Sequence, residues 1–575
     1  MNAKDAGSDA PIWAKSYPDD VPLHLDYGHE TLVDAFARAV RIYAKRPATS
    51  FFGKTITWAE LGDKVDRFAA VLRDKGVRAG DNVAIVLPNS PQNVIAFWAT
   101  LSIGACAVQH NPLYTAAELS SPFQAHKARV AVVWNKSVEI IEEVAKDAPL
   151  ESIITVDLLQ AMPLSKRIPL LLPLPPLRKL RAQLSEAAPG HEDFDALVDK
   201  ASAAKGREAA AEATVGEDDR ALMLFTSGTT GKPKGVPLTH ANLRANIHQG
   251  IAWVPTLRED VRHVMLAALP MFHAYGSTLN LILAPYIGGE IVLLPSPTKE
   301  LLTDVLAKRE LTWVPGVPTI YKTMLDIAEE KKLGLDTIRA AFSGAASMPV
   351  AVIERWEKTT GSLITEGYGL SETSPMLTAN PADESRRPGY IGVPVPDTEI
   401  RIVDPENPGN DRPIGEEGEL IARGPQVFSG YLDRPDADAD SFYDGWFRTG
   451  DVGVMDEDGF IKIVSRIKEM IITGGFNVFP QEVEEVLEQD AAVEKAAVVG
   501  VPKDDGSEKV VAAVVLAPGA SLDVETLRAH AKKNLTAYKA PKQILAFDEL
   551  ASDQLGKVRR VEVRKDVMEE LGISE

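Results

Sequence analysis

An α/β protein is what this sequence predicts: a large N-terminal domain of βαβ-layered sheets with a β-rich subdomain, then a small α+β C-terminal domain that moves as one body. Three observations lead there. Apolar β-branched runs alternate with helix-period segments up to about residue 380. Beyond it the texture turns to short strands between Gly, Pro and Asp turns, and the last stretch carries its own mixture of helices and strands.

In order, "NVAIVLP" (82–88), "ARVAVVW" (128–134), "SIITVD" (152–157) and "GGEIVLLP" (288–295) read as strands covered on both faces, and "TWAELGDKVDRFAAVLRDKG" (57–76) as an intervening helix. "TEIRIVD", "GELIARG" and "GFIKIVSR" are the short strands of the β-rich subdomain. After "SRIKEMI" come a helical "PQEVEEVLEQ", strands "VEKAAVVGVP" and "KVVAAVVLAP", and a helical "LDVETLRAHAKKNL". The expected division is 1–465 and 466–575, the second part being of ordinary domain size. Two connections stand out: the Ala/Glu-rich 201–219, expected to be exposed, and the Pro/Leu/Arg-rich 163–184. There is no internal repeat.

The 575 residues, 45% hydrophobic and 25% charged, are too many for one core and have the composition of a globular protein. With 82 acidic against 62 basic residues the formal charge is −20, which repels nucleic acid and anionic lipid in the far field, so a polyanionic ligand must be met by local groups. The one cysteine, Cys106, lies in an apolar run and reads as a buried small side chain. The N-terminal residues lack the apolar centre of a signal peptide, and no apolar run reaches the roughly 18 residues that span a bilayer. A cytoplasmic location is expected, and pairing into a homodimer stays open.

The stretch "FTSGTTGKPKGVPLTH" (225–240) is built for an anion: glycines allow close backbone approach, hydroxyls donate, and Lys232 or Lys234 supplies charge. It is not a Walker loop. Only two residues separate Gly228 from Gly231, and Pro233 after Lys232 bars entry into a helix at that point.

Together with "EGYGLSET" (366–373), "GWFRTGDVG" (445–453), "SRIKEMIITGGFNVFPQEVE" (465–484) and "LGKVRR" (555–560), this loop resembles the adenylate-forming superfamily: acyl-CoA synthetases, firefly luciferase and peptide-synthetase adenylation domains. The resemblance runs from about Thr31 to Lys565 in the family's order. It implies ATP, Mg²⁺ and coenzyme A as cofactor and co-substrates. Thr226, Ser227, Gly228, Thr229, Thr230 and Lys234 would close over the β- and γ-phosphates. Gly344, Ala345 and Ala346 of "SGAASMP" would wall the adenine, with Tyr368 stacking on it beside Gly369. Ser371 would touch the α-phosphate, and Glu372 would hold Mg²⁺ as a hard oxygen ligand.

By the same resemblance Asp451 and Arg466 take the ribose hydroxyls, although Ser465 stands where the family usually has Asp, which leaves the orientation of Arg466 unassigned. Lys468 would be the hinge about which the C-terminal domain turns. Lys557 would enter the site in the first conformation and bridge the carboxylate and α-phosphate; after the swing, Gly474 and Gly475 would line the pantetheine path. His273 in "PMFHAYG" would lie beside the substrate carboxylate. The catalytic set is thus Lys557, His273, Thr226 and Glu372.

"HAYGS", "VPGVPTIY", "SGAAS" and "YGLSE" would line an apolar acyl tunnel with no charged anchor, suited to a medium- to long-chain fatty acid rather than an amino acid. The 163–184 segment, with Lys166, Arg167, Arg178, Lys179 and Arg181 around an apolar centre, resembles an insertion of bacterial long-chain fatty acyl-CoA synthetases. Peripheral contact with a membrane surface and a packed extended connection both stay open for it. The expected enzyme is an AMP-forming acid–thiol ligase. A fatty acyl-AMP ligase loading a carrier protein, a luciferase-like oxygenase, activation of an aryl or dicarboxylic acid, and a silent binder are the alternatives.

Overall fold

The computed structural model describes residues 10–226, 233–473, 476–502, 508–535, 538–553 and 556–573, and only the backbone of 176, 468, 472, 476 and 477. The chain folds as two compact units, Met1–Glu399 with Arg423–Phe442, and Ile400–Ala422 with Tyr443–Glu575.

The first unit is built on two largely parallel sheets. One has seven strands, with Asn82–Val86, Cys106–Gln109, Val130–Trp134 and Ser152–Val156 parallel at its centre. The hairpin Arg220–Thr226/Lys234–Thr239 closes one edge. The central strands are buried along nearly their whole length, as the continuous Val/Ile/Ala runs require. The other sheet has nine strands; Val264–Ala267, Glu290–Leu293, Trp313–Gly316, Ala340–Ser343 and Ile364–Gly369 run parallel, and antiparallel strands finish both edges. Helices enter through threonine caps: the side chains of Thr31, Thr57, Thr115 and Thr239 each accept the backbone N–H three residues on.

Two connections differ from the sequence reading. The stretch expected to be an exposed linker contains the helix Ala203–Glu212, docked on Trp58–Asp74 with Ala203, Gly206 and Ala209 buried. A Cβ on Gly206 would fall 1.6 Å from the Asp66 carbonyl oxygen, so only glycine permits this approach. Ion pairs Arg207–Asp66 (2.8 Å) and Arg73–Glu212 (2.9 Å) flank the contact. The 163–184 segment is not extended; it forms two short helices, Leu164–Leu170 and Pro175–Leu184, with Pro175 in the first turn of the second. Among the described residues no helix is long and apolar enough to cross a membrane.

Behind the hairpin lies a buried imidazole pair. His126 Nδ1 accepts the Ala128 N–H at 3.0 Å, so its Nε2 carries the proton and donates to His110 Nε2, 3.1 Å away. His110 also stacks on Phe123 and Phe225. Burial pushes His110 down to about 3 and His126 well below its ordinary value, the latter helped by His110 itself. Both are therefore neutral when folded, while the unfolded chain takes up protons below about pH 6.5. The stability this neutral pair carries is complete above that pH and is lost as pH falls toward 3. Urea unfolding between pH 7 and pH 4.5 should show a steeper fall in stability for the native sequence than for His110→Gln; equal slopes would contradict the assignment.

In the second unit a five-stranded sheet contains Gly418–Arg423, Trp446–Met455 and Ile461–Arg466, the middle one antiparallel to both of the others. A three-stranded sheet, Val493–Pro502, Glu508–Leu516 and Gln543–Ala546, follows. Its alternation is clean: Ala496, Val498, Val510, Ala512 and Val514 face the helices Pro480–Leu487 and Val524–Asn534, whereas Ala497, Val499, Val501, Val511 and Ala513 face Arg560–Glu570. That period-two pattern fixes the register.

Candidate active site

The first unit presents one group of candidate residues beyond the carboxyl ends of its parallel strands, where ligands of open α/β sheets bind. Thr226 ends its strand and pairs in register with Lys234, so the phosphate loop is the connection of an antiparallel hairpin. Ser227, Gly228, Thr229 and Thr230 lie outside the described residues. The Lys234 ammonium sits 3.9 Å from the centroid of the Tyr431 ring, and the Tyr431 hydroxyl donates to Glu372 Oε1 at 2.9 Å. Leu432 N–H binds the Gly235 carbonyl at 2.9 Å and Phe428 N–H the Glu372 carbonyl at 2.9 Å, which locks Arg423–Phe442 against both hairpin and Glu372 turn. Burial, then the Glu372 carboxylate, push the Tyr431 phenol well up, so it stays protonated and donates.

A cation on an aromatic face and a buried carboxylate bonded to the same aromatic hydroxyl thus stand at the mouth of the hairpin. Tyr431 was not legible in the sequence. It sits in "SGYLDRP", whose Gly, Asp and Pro read as a turn, and only its contact with two motif residues gives it away.

Next to this group, Ser343 pairs with Glu366 across neighbouring parallel strands, and the chain leaves one strand through Gly344, Ala345 and Ala346 and the other through Tyr368 and Gly369. Gly344 is buried while Ala345 and Ala346 are exposed, and Ala345 holds φ +69°, a left-handed conformation uncommon for a residue with a side chain. Glu366 braces the turn by accepting from Met348 N–H at 3.4 Å and Gly389 N–H at 3.3 Å. Burial raises the Glu366 carboxyl, and those two N–H groups oppose the shift. Gly369 is obligatory, since a Cβ there would lie 1.6 Å from the Pro375 carbonyl oxygen. Ser371 and Glu372 share the 3₁₀ turn Ser371–Thr373 that follows.

His273 opens the short helix Ala274–Gly276, partly exposed beside the Phe272 ring. Two residues on, the Tyr275 hydroxyl donates to the Phe342 carbonyl (2.6 Å) and the Gly316 carbonyl (3.1 Å), tying two strand ends together, and its ring lies 3.4 Å from the position of a Cβ on Gly344. Three of the four stretches expected around an acyl group therefore converge.

A narrow apolar cavity in the same unit has walls that include Leu279, Leu283, Trp313, Phe342, Met376 and the helix residues Gly250, Trp253 and Leu257. The helix wall was missed in the sequence because buried apolar residues there are indistinguishable from core. Asn246, also on this wall, spends both its amide ends on the Met376 backbone, at 2.9 and 3.1 Å, so no polar group of its own is offered to an occupant.

In the second unit Asp451 and Arg466 are directly opposite across the strands Trp446–Met455 and Ile461–Arg466. Arg466 Nε is 2.9 Å from Asp451 Oδ1, the carboxylate being buried. The orientation of Arg466, left open by Ser465 in the sequence, is given by Asp451 itself; the Ser465 hydroxyl instead donates to the Arg466 carbonyl at 3.3 Å.

Lys557 stands on a tight turn whose backbone is closed by Lys557 N–H to Asp553 Oδ1 (2.9 Å) and Asp553 N–H to the Lys557 carbonyl (2.8 Å). Its side chain keeps part of its surface open, yet desolvation and the Arg466 charge lower the ammonium's pKa, opposed by Asp451, Glu469 and Asp553. Lys468 lies in the turn Ile467–Glu469, its side chain outside the described residues. Glu469 beside it pairs with Arg560, which also binds the buried Glu484 at 2.5 Å. Gly474 and Gly475 lie outside the described residues. Among the described residues no group of three or more His, Cys, Asp or Glu is arranged to hold a metal.

Comparison with known proteins shows the family and the fold. Residues 36–432 match the AMP-binding enzyme family and residues 482–557 the AMP-binding enzyme C-terminal domain. A long-chain-fatty-acid–CoA ligase of Yersinia pestis is 36% identical over 560 residues, 96% of this chain and 98% of that ligase. One of Bacillus subtilis (strain 168) is 36% identical over 556 residues, 95% of this chain and 96% of that ligase. Among solved structures, ATP-bound MatB from Rhodopseudomonas palustris superposes with a TM-score of 0.79 at 29% identity, covering 94% of this chain and 99% of that one.

Proposed function

The chain belongs to the AMP-binding enzyme family, and from that premise we propose that it is an ATP-dependent acyl-CoA synthetase acting on medium- to long-chain fatty acids. The acid's carboxylate attacks the α-phosphorus of ATP and pyrophosphate leaves; the thiol of coenzyme A then attacks the acyl carbonyl and AMP leaves. The observation that carries the choice of acid is the full-length likeness to the two long-chain-fatty-acid–CoA ligases, and the narrow cavity beside Phe342 and Met376 is in keeping with it, its lining being apolar apart from an Asn246 already satisfied by backbone. An amino acid's ammonium would be stranded there, whereas an alkyl chain gains from leaving water. The two long-chain-fatty-acid ligases above support the same reading.

In this proposal Thr226, Ser227, Gly228, Thr229, Thr230 and Lys234 grip the departing phosphates. Tyr368 and Gly369 face Gly344, Ala345 and Ala346 across the adenine, Ser371 meets the α-phosphate, and Asp451 with Arg466 takes the ribose. His273 borders the carboxylate and Lys557 lies over it, while Gly474 and Gly475 admit pantetheine after a turn about Lys468. The division of labour follows residues 1–465 and 466–575.

Glu372 suits Mg²⁺ that is shared with a triphosphate: it is a hard, buried carboxylate oriented by Tyr431, and Mg²⁺ in such sites takes one or two carboxylates plus phosphate oxygens. When bound, the ion would offset charge on the phosphates undergoing displacement. A lipid surface is the proposed source of the poorly soluble acid.

The test is product analysis with a panel of acids from acetate to oleate, with and without coenzyme A. Pyrophosphate and AMP, with AMP release stimulated by coenzyme A on the longer acids, is the expected result. ADP, or a response confined to a phosphopantetheinyl carrier protein, would overturn it.

A further inference from the structure

We propose that Tyr431 is a positioning residue that serves two groups at once: its hydroxyl sets the Glu372 carboxylate for a divalent cation, and its ring sets the Lys234 ammonium for phosphate. The proposal deepens the reading of Glu372 and Lys234 given above and rests on it. Tyr431 joins two stretches that are distant in the chain. The hydroxyl donates to Glu372 Oε1 at 2.9 Å, and the Lys234 ammonium stands 3.9 Å from the ring centroid. Tyr431 and Glu372 are each 7% exposed, so solvent does little to weaken the bond between them.

The backbone, not the tyrosine side chain, fixes where this residue stands. Its strap, 425–432, is bonded to the Glu372 turn by Ser374 Oγ–H to the Gln426 carbonyl (2.8 Å) and by Phe428 N–H to the Glu372 carbonyl (2.9 Å). Leu432 N–H to the Gly235 carbonyl (2.9 Å) bonds it to the hairpin, and Asn242, in the first turn of the helix His240–Trp253, donates to the Pro425 and Val427 carbonyls at 2.8 and 3.2 Å. Tyr431 N–H is held by Asp438 Oδ1 at 2.8 Å. None of these bonds uses an atom of the Tyr431 side chain, so a substitution there changes its two contacts and leaves the strap in place.

Each contact suits one half of the task. Mg²⁺ demands near-octahedral oxygen geometry, and a carboxylate free to turn about its last torsion offers that geometry only part of the time. A hydrogen bond to one of its oxygens removes this freedom, and loss of such a partner typically costs about 10- to 100-fold in metal affinity. An ammonium over an aromatic face is held in place while its charge stays available to a phosphate, which an ion pair with a carboxylate would cancel. The ion is shared between carboxylate and triphosphate, so one residue that holds both protein groups also sets the distance between them.

Calorimetric titration of ATP into the full chain, with Mg²⁺ stepped from none to excess, tests it. Tyr431→Phe keeps the ring and loses the hydroxyl: metal-free ATP should bind as it does to the native chain, while the Mg²⁺ concentration at half-effect should rise about 10- to 100-fold. Tyr431→Leu should show that shift and also bind metal-free ATP about 5-fold more weakly, because the ammonium loses its seat. Excess Mg²⁺ should restore adenylate formation to Tyr431→Phe, and in a Glu372→Gln chain Tyr431→Phe should add no further loss. The near-isosteric Tyr431→Phe decides the outcome even where Tyr431→Leu does not fold. A native Mg²⁺ dependence in Tyr431→Phe overturns the proposal, as does equal loss of ATP binding with and without the ion, which marks a merely structural tyrosine. A native chain whose ATP binding ignores Mg²⁺ sinks the metal reading of Glu372 and this proposal with it, so the native titration and the variant titration tell the two failures apart.

Discussion

Lys557→Ala is expected to abolish acyl-adenylate formation while conversion of preformed acyl-AMP to thioester continues at near its native rate. The first half-reaction must bring a carboxylate onto a polyphosphate, and repulsion between like charges in a partly desolvated site is a large part of its barrier. A lysine that spans both anions lowers that barrier only where the charges meet, so its removal should appear in kcat rather than KM. Removing one preorganised donor typically costs about 100- to 1000-fold, and a full charge should lie at or beyond the upper end. In the second half-reaction the nucleophile is a thiol and the electrophile an acyl-AMP, and nothing then requires this cation.

The substitution is also a clean one. The turn under Lys557 is held by backbone N–H and carbonyl groups and by Asp553, and its neighbour Gly556 is supported by Lys495 Nζ at 3.3 Å; alanine keeps these bonds. Single-turnover assays of each half-reaction provide the check. If both steps fall together, or neither falls, Lys557 does not have this role.

How much of this was legible in the sequence depended on what physics left in it. The strands Asn82–Val86, Val130–Trp134, Ser152–Val156 and Glu290–Leu293 are buried along most of their length, so their residues are mostly apolar and rich in Val and Ile, and they were visible. The helix Ala203–Glu212 was not, because it docks through Ala203, Gly206 and Ala209: close approach demands small side chains, and small side chains leave no apolar stripe to read. The helices within 163–184 were hidden by their prolines: Pro169 lies inside the first, where proline is disfavoured, and Pro175 in the first turn of the second, where it is tolerated. At the site, Asp451 and Arg466 were found through their motifs, but their pairing across two strands is a matter of register that no spacing encodes. Tyr431 was missed because its meaning lies entirely in contacts with Lys234 and Glu372, both distant in the chain.

The apolar cavity supplies the second large effect: Gly250→Leu should turn a long-chain enzyme into one that prefers short acids. Gly250 lies in the helix His240–Trp253 and forms part of the cavity wall. A Cβ built there meets only the Met376 Cε within 4 Å, at 3.9 Å, so the first atom of a side chain is accommodated without striking backbone. Replacing glycine inside a helix gains about 1 kcal/mol of helix propensity, which offsets part of the roughly 1 to 3 kcal/mol that a larger side chain costs in so narrow a cavity, so the melting temperature of the variant is the control. A leucine would take up the space of about four carbon atoms of an alkyl chain, and each methylene kept from burial costs about 0.8 kcal/mol. Some four methylenes come to about 3 kcal/mol, or roughly a 100-fold loss in kcat/KM for long acids. Acids too short to reach Gly250 should keep their rates. Measured kcat/KM across a homologous series of acids gives the answer: a selective loss beyond one chain length places the alkyl tail in this cavity, whereas a uniform loss or none at all would put the tail elsewhere.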